Sequence, residues 1–226
     1  MKARRPIRRP VAVIFDMDGL MLDTESLGPR TWRDAAAAIG VDFDLGLLPS
    51  MIGRNYRDCR EMLRAQYGPA YPVEQLTAEC LATFDAIVAR EGIAQKPGLR
   101  ELLDWLEREQ VVRAVATSTR RDRAEAQLTK QGLLARFAIL VGGNEVDRGK
   151  PEPDIFLLAA ARLDVAAADC VVLEDSEPGV RAALAAGMIP IMVPDLHGPS
   201  PGLLAREPLV LPSLHDVREH FALLPH

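Results

Sequence analysis

Asp16, Asp18, Thr117, Ser118, Lys150, Glu174 and Asp175 are separated in the chain but form a chemically coherent set. Four carboxylates drawn into one crevice repel one another, and left alone they raise one another's pKa or destabilise the fold. A hard divalent cation relieves that repulsion, and ligation by oxygen alone suits magnesium. Magnesium in turn recruits phosphate. Hydroxyl and backbone donors at Thr117 and Ser118, leading into a helix N-terminus, suit phosphate oxygens, and Lys150 neutralises charge on the same group. A carboxylate beside such a phosphate can attack phosphorus and form an aspartyl-phosphate. A second carboxyl two residues away can protonate the leaving oxygen and then activate water.

This chemistry requires the seven residues to meet. Residues 11–15 form a compact apolar, β-branched run that reads as a buried strand, and Asp16 and Asp18 follow it. Strand-like runs recur at 111–117, 138–141, 170–173 and 189–193, with a last short one at 209–211. Helical patterns lie between them, from Pro97 through Glu109 and at 122–131, 153–163 and 177–186. Gly132 and Gly187 stop two of these helices. Such alternation predicts an α/β fold, a Rossmann-like parallel sheet with helices on both faces. Ligands in such sheets bind beyond the carboxyl ends of the strands. Thr117 and Ser118, Glu174 and Asp175 then sit at strand ends beside Asp16, with Lys150 in the connection after the 138–141 strand.

Between Leu27 and Glu91 the sequence is rich in Ala, Leu, Arg and Glu at helical spacing, broken at Gly40, Pro49, Gly53 and Gly68-Pro69. We read an all-helical insertion after the first strand, with domains at 27–93 and at 1–26 plus 94–226. Residues 194–212 are proline-rich and read as loop.

Composition narrows the function. The 226 residues carry 27 Lys and Arg against 32 Asp and Glu, a net charge of −5, which argues against a nucleic-acid binder. No run approaches the roughly 18 apolar residues of a membrane span. The basic start, residues 1–10, lacks the apolar stretch of a signal peptide and reads as a solvated leader. Three scattered cysteines fit no disulfide framework or zinc site and favour a reducing cytoplasm. All four histidines lie from His197 onward, no G-x-S-x-G elbow is present, and no cysteine has an arginine six residues on. No long amphipathic seam points to an obligate assembly, so a monomer is expected.

Each candidate also has a plainer reading. Asp16 and Asp18 fit a strand-end turn, though a calcium loop fails at Leu20 and Met21. Thr117 and Ser118 fit helix caps. Lys150 before a proline fits a solvated loop, and Glu174-Asp175 a surface pair. A P-loop at Gly143–Lys150 is one residue too long, and Pro151 stands where a hydroxyl is required. Arg54, Asn55, Tyr56 and Arg57 lie at a break in the helical block. They are either a solvated helix start or substrate contacts, and Arg54 and Tyr56 are the candidates for the latter.

Phe15-Asp16-Met17-Asp18-Gly19 through Asp23-Thr24-Glu25 resembles the first motif of the haloacid dehalogenase (HAD) superfamily. Ala116-Thr117-Ser118-Thr119 resembles the second, Gly149-Lys150-Pro151-Glu152-Pro153-Asp154 the third and Leu173-Glu174-Asp175-Ser176 the fourth, in the family's order. The wording is similar to the β-phosphoglucomutase-like branch and its small-sugar and nucleotide phosphatases, pseudouridine-5′-phosphatase among them. The resemblance implies a HAD core with a helical cap inserted after the first motif, and magnesium as cofactor. It implies Asp16 as nucleophile and metal ligand, and Asp18 as general acid and base with its backbone carbonyl on the metal. Thr117 and the Ser118 amide then hold the transferring phosphoryl group, Lys150 stabilises its charge, and Asp175 with Glu174 completes the metal site.

Mutases of that branch have a hinge histidine and a cap lysine. This chain has Gly28 at the hinge and no lysine from Leu27 to Ile93. The missing lysine also argues against a phosphonatase, and Asp18 against a dehalogenase. The expectation is a magnesium-dependent phosphatase of a small phosphorylated metabolite. A β-phosphoglucomutase-type mutase and a non-catalytic HAD-fold binding protein are the alternatives.

Overall fold

Val13 and Phe15 point to one face of the first strand and Ala12 and Ile14 to the other, and all four are fully buried. A strand apolar on both sides belongs in the middle of a parallel sheet covered by helices. The structure, a computed structural model, describes residues 9–225, so the expected leader lies, except for Arg9 and Pro10, outside the described residues. Its strands are β1 (Ala12–Phe15), β2 (Val112–Thr117), β3 (Ile139–Gly142), β4 (Cys170–Glu174), β5 (Ile189–Met192) and β6 (Leu209–Val210). They form one sheet in the order β3-β2-β1-β4-β5-β6, with every neighbouring pair parallel. Strand order reverses between β1 and β4, which opens a crevice at their carboxyl ends.

Ten helices complete the described chain. Four precede β2: α1 (Gly28–Ile39), α2 (Leu48–Met51), α3 (Tyr56–Tyr67) and α4 (Val73–Glu91). Then come α5 (Leu99–Arg108), α6 (Arg121–Lys130), α7 (Asp154–Leu163), α8 (Glu177–Ala185), α9 (Pro201–Leu204) and α10 (Leu214–Ala222). Leu102 and Leu106 of α5, Leu128 of α6 and Phe221 of α10 cover the Val13–Phe15 face. Phe156 and Ala159 of α7 and Ala183 of α8 cover the Ala12–Ile14 face. The first four helices pack around a core of their own, built on Trp32, Leu63, Val73 and Leu76, so the fold is a parallel α/β sheet with an inserted helical unit. None of the described helices is long and apolar enough to cross a membrane.

Three details differ from the sequence reading. Pro49 lies in the first turn of α2 instead of breaking a helix, because that turn needs no donor from it. The proline-rich 194–212 segment contains, besides the short strand expected at its end, the helix α9, which Ser200 caps. The unforeseen α10 is capped by Ser213, which accepts from the Asp216 amide, and buries Leu214, Val217 and Phe221 against the core.

The two crossings between sheet and insertion lie side by side. Asp23 N donates to Ala94 O (2.9 Å), and Lys96 N donates to Met21 O (2.9 Å).

Candidate active site

Asp16 follows β1 and extends its ladder, since its amide donates to Leu173 O on β4 (3.0 Å). One residue of register therefore brings Asp16 beside Glu174 and Asp175. The chain then turns sharply, with the amides of Met21 and Leu22 both donating to Met17 O. Gly19 makes this turn with φ +79°, and a Cβ there would fall 2.3 Å from Asp175 Oδ2. Both the left-handed backbone and the close approach demand glycine.

Lys150 is almost completely buried, which rules out a solvated loop lysine. Its Nζ lies 2.5 Å from Asp16 Oδ1 and 2.5 Å from Glu174 Oε1. Burial alone lowers the pKa of this ammonium, but the two carboxylates outweigh it and hold the group firmly charged. Glu174 is fixed from its other oxygen, where Oε2 accepts from the Ser176 amide (3.0 Å) and hydroxyl (2.8 Å). Gly179 opens the space for it, because a Cβ there would fall 1.8 Å from Glu174 Oε1.

Asp16, Glu174 and Asp175 offer carboxylate oxygens that all lie within 4.8 Å of one another, and all three residues are buried. Burial pushes the pKa of Asp16 well up, opposed by Lys150. Burial also pushes Asp175 well up, and Glu174 and Asp16 add to it. Three carboxylates against one ammonium leave two formal negative charges, and Asp175 accepts no hydrogen bond from any described residue. A hard divalent cation matches this donor set in charge and in ligand type.

Asp18 stands outside that acidic group. Its Oδ2 accepts from Thr117 Oγ1 (3.1 Å) and Thr119 Oγ1 (2.7 Å), both at the end of β2. The Thr117 hydroxyl is thus turned to Asp18, and it also accepts from the Thr119 amide (3.1 Å). Ser118 turns its hydroxyl the other way and donates to Gly53 O of the helical insertion (2.8 Å). The Thr117 hydroxyl therefore supports Asp18, and the Ser118 hydroxyl meets the insertion, away from the amide expected at the phosphate.

A cavity of about 720 Å³ joins the carboxylates to the insertion, and Arg54 and Tyr56 both line it. Asn55 caps α3 by accepting from the Asp58 amide (2.9 Å), which sets Tyr56 at the helix's first residue. Arg54 Nε donates to Ser50 O (3.0 Å). Burial pushes the Tyr56 phenol above its usual range, so it stays protonated.

Sequence reasoning missed three positioning groups here: Thr119, Ser176 and Glu25. Thr119 and Ser176 sit inside motifs, where a hydroxyl next to a strand end reads as a helix cap. Glu25 lines the cavity, and burial together with Asp18, Asp195 and Glu174 pushes its pKa up to about 7. It ends the first motif, but its burial could not be read there, because two of its acidic neighbours, Asp195 and Glu174, come from distant parts of the chain.

The arrangement offers a buried carboxylate held by a lysine, a separate carboxyl on hydroxyl donors and a donor set for a divalent cation. The profile of the haloacid dehalogenase-like hydrolases matches residues 11–187. A phosphorylated carbohydrates phosphatase of Thermotoga maritima is 33% identical over 177 residues, covering 78% of this chain and 82% of that protein. A β-phosphoglucomutase of Bacillus subtilis is 31% identical over 191 residues, covering 80% of this chain and 82% of that protein. Among solved structures, CbbY from Rhodobacter sphaeroides in complex with phosphate superposes with a TM-score of 0.77 at 30% identity, covering 92% of this chain and 96% of that one. The chain belongs to the haloacid dehalogenase-like hydrolases, in the β-phosphoglucomutase-like branch, and is an enzyme of that family.

Proposed function

We propose that the protein is a magnesium-dependent phosphatase of a small phosphorylated metabolite, a sugar phosphate or a nucleotide-like ester, acting through an aspartyl-phosphate on Asp16. The observation that carries this reading is the contrast between two aspartates two residues apart. Asp16 is paired with Lys150 at the buried floor, and Asp18 rests on Thr117 and Thr119 outside the acidic group. On this reading one carboxylate attacks and the other moves a proton, the division of labour that two-step hydrolysis requires. The phosphatase name of the Thermotoga relative and the phosphate in the CbbY complex agree with it.

Asp16, Glu174 and Asp175, with the Asp18 carbonyl, would hold the magnesium. When bound it supplies positive charge to the phosphate and to the attacking carboxylate. Asp16 attacks phosphorus while Asp18 gives its proton to the leaving oxygen. The product alcohol departs. Asp18, now a carboxylate, takes a proton from water as that water attacks the aspartyl-phosphate. Inorganic phosphate leaves and Asp16 is restored. Lys150 offsets charge on Asp16 and the phosphoryl oxygens, and the Ser118 amide steadies those oxygens, joined by the Thr117 hydroxyl once it turns from Asp18 to the phosphoryl group. Residues 27–93 act as a cap, hinged at 24–28 and 92–97, that shuts out bulk water during attack. Arg54 and Tyr56 contact the part of the substrate that leaves.

Phosphate release from hexose and pentose phosphates, nucleoside monophosphates, pseudouridine phosphate, phosphoglycolate and p-nitrophenyl phosphate tests this, with and without magnesium. Turnover that needs magnesium and is abolished in Asp16→Asn is the expected result. Its absence on every substrate, with conversion of β-glucose 1-phosphate to glucose 6-phosphate, would give the mutase reading instead.

A further inference from the structure

The helical insertion and the sheet touch at few polar points, and one of them carries charge. Arg123, on α6 of the sheet layer, holds Asp85 of α4 with both guanidinium ends: Nη1 to Oδ2 at 3.0 Å and Nη2 to Oδ1 at 2.5 Å. No other ion pair among the described residues joins helices α1 to α4 to the α/β layers. The remaining pairs stay within one part or lie at the crossings themselves, as Lys96 does with Asp23 and Asp195. Arg123 also lines the cavity and lies close enough to Tyr56 to pull that phenol's pKa downward against burial. One cation of the sheet layer thus faces two residues of the insertion, from α3 and α4, at the wall of the active-site cavity.

Position gives this contact leverage. Asp85 lies six residues before the end of α4, where the chain crosses back to the sheet. At 1.5 Å per residue that is about 9 Å from the crossing. A contact at that radius fixes rotation of α4 about the crossing. The Ser118 hydroxyl on Gly53 O fixes the far side of the insertion, beside Arg54. A two-ended arginine–carboxylate contact sets direction as well as distance, which a lysine would not do.

We propose that Arg123 is a positioning residue whose pair with Asp85 sets the closed register of the helical cap, and with it the placement of Tyr56 and Arg54 over the carboxylates. This rests on the reading of residues 27–93 as a cap over a phosphatase site. The pair is broken when the cap opens to admit substrate and re-forms on closure. Asp85 is more than half exposed, so the contact is weak enough to be reversible.

The test is a double-mutant cycle of Asp85→Asn, Arg123→Gln and the double variant, assayed on the best substrate of wild type. Each single variant is expected to raise KM about 2–5-fold with kcat kept within about twofold, as an exposed pair of this kind contributes. The double variant is expected to cost no more than the larger single one, because the same contact is lost once. Hydrogen exchange of the 53–56 amides without substrate is expected to quicken in all three. Unchanged KM and exchange in the single variants, or costs that add in the double one, would overturn the assignment. Exchange needs no turnover, so it reads the latch even if no phosphatase activity is found, and an inactive wild type would count against the phosphatase reading alone.

Discussion

Lys150 Nζ and Asp16 Oδ1 meet at 2.5 Å inside the protein, although 134 residues separate them in the chain. The contact forms because Asp16 ends the central strand and Lys150 returns from the connection after β3. Glu174 receives the same ammonium from the other side. A buried charge shared in this way is costly to disturb, since removing one partner leaves the others uncompensated.

Lys150→Met is therefore expected to destabilise the metal-free protein by roughly 3–5 kcal/mol, read by urea unfolding. It is also expected to bind magnesium more tightly while turning over far more slowly, because three carboxylates then face the cation without a competing ammonium. Calorimetric titration checks the affinity. Loss of magnesium binding in this variant would show that the lysine organises the donor set instead of competing with it.

Asp18→Asn is expected to slow turnover by about 10²–10⁴-fold, the usual worth of a positioned acid and base. Magnesium binding should persist, since the Asp18 carboxylate lies outside the acidic group. Thr119→Val removes the shorter of the two hydrogen bonds to Asp18. It should show a smaller fall in kcat, and a kcat equal to that of wild type would mean that Thr119 does not position Asp18.

Much of this site was legible in the sequence because strand ends are legible. A short β-branched run followed by Asp16, or by Glu174-Asp175, marks a residue at a sheet's edge whatever the rest of the fold does. Lys150 was legible only through its motif, because nothing local tells a lysine before a proline that it will be buried. Direction was not legible: Thr117 and Ser118 are adjacent, yet one hydroxyl turns to Asp18 and the other to Gly53. Strand alternation predicts that neighbours diverge but not what each one meets. α10 carried its own signals, Ser213 and the Leu214–Val217–Phe221 spacing, hidden behind a proline-rich stretch that reads as loop.

The three cysteines are buried, and burial pushes Cys59 and Cys80 up to about 12 and Cys170 up to about 11. Thiolate is the reactive form, so native protein at pH 8 should resist a disulfide reagent. All three should react once guanidinium unfolds the chain. Cys59 and Cys80 line the active-site cavity, so prompt labelling of these two in native protein would reveal an open helical insertion.

Glu25 has the clearest pH signature. Burial and the carboxylates around it raise its pKa from 4.5 to about 7 in the folded protein. The folded state then binds this proton more tightly than the unfolded one. The resulting stabilisation is fully present below pH 4.5 and is lost as pH rises through 7. A shift of that size corresponds to about 3 kcal/mol. Glu25→Gln cannot ionise, so in EDTA its urea-unfolding free energy should match wild type near pH 4.5 and exceed it by about 2–3 kcal/mol at pH 8. Asp16 and Asp175 titrate in both proteins, and the difference between the two curves isolates Glu25. Curves that run parallel across this range would mean that the Glu25 carboxyl finds water or a cation when folded.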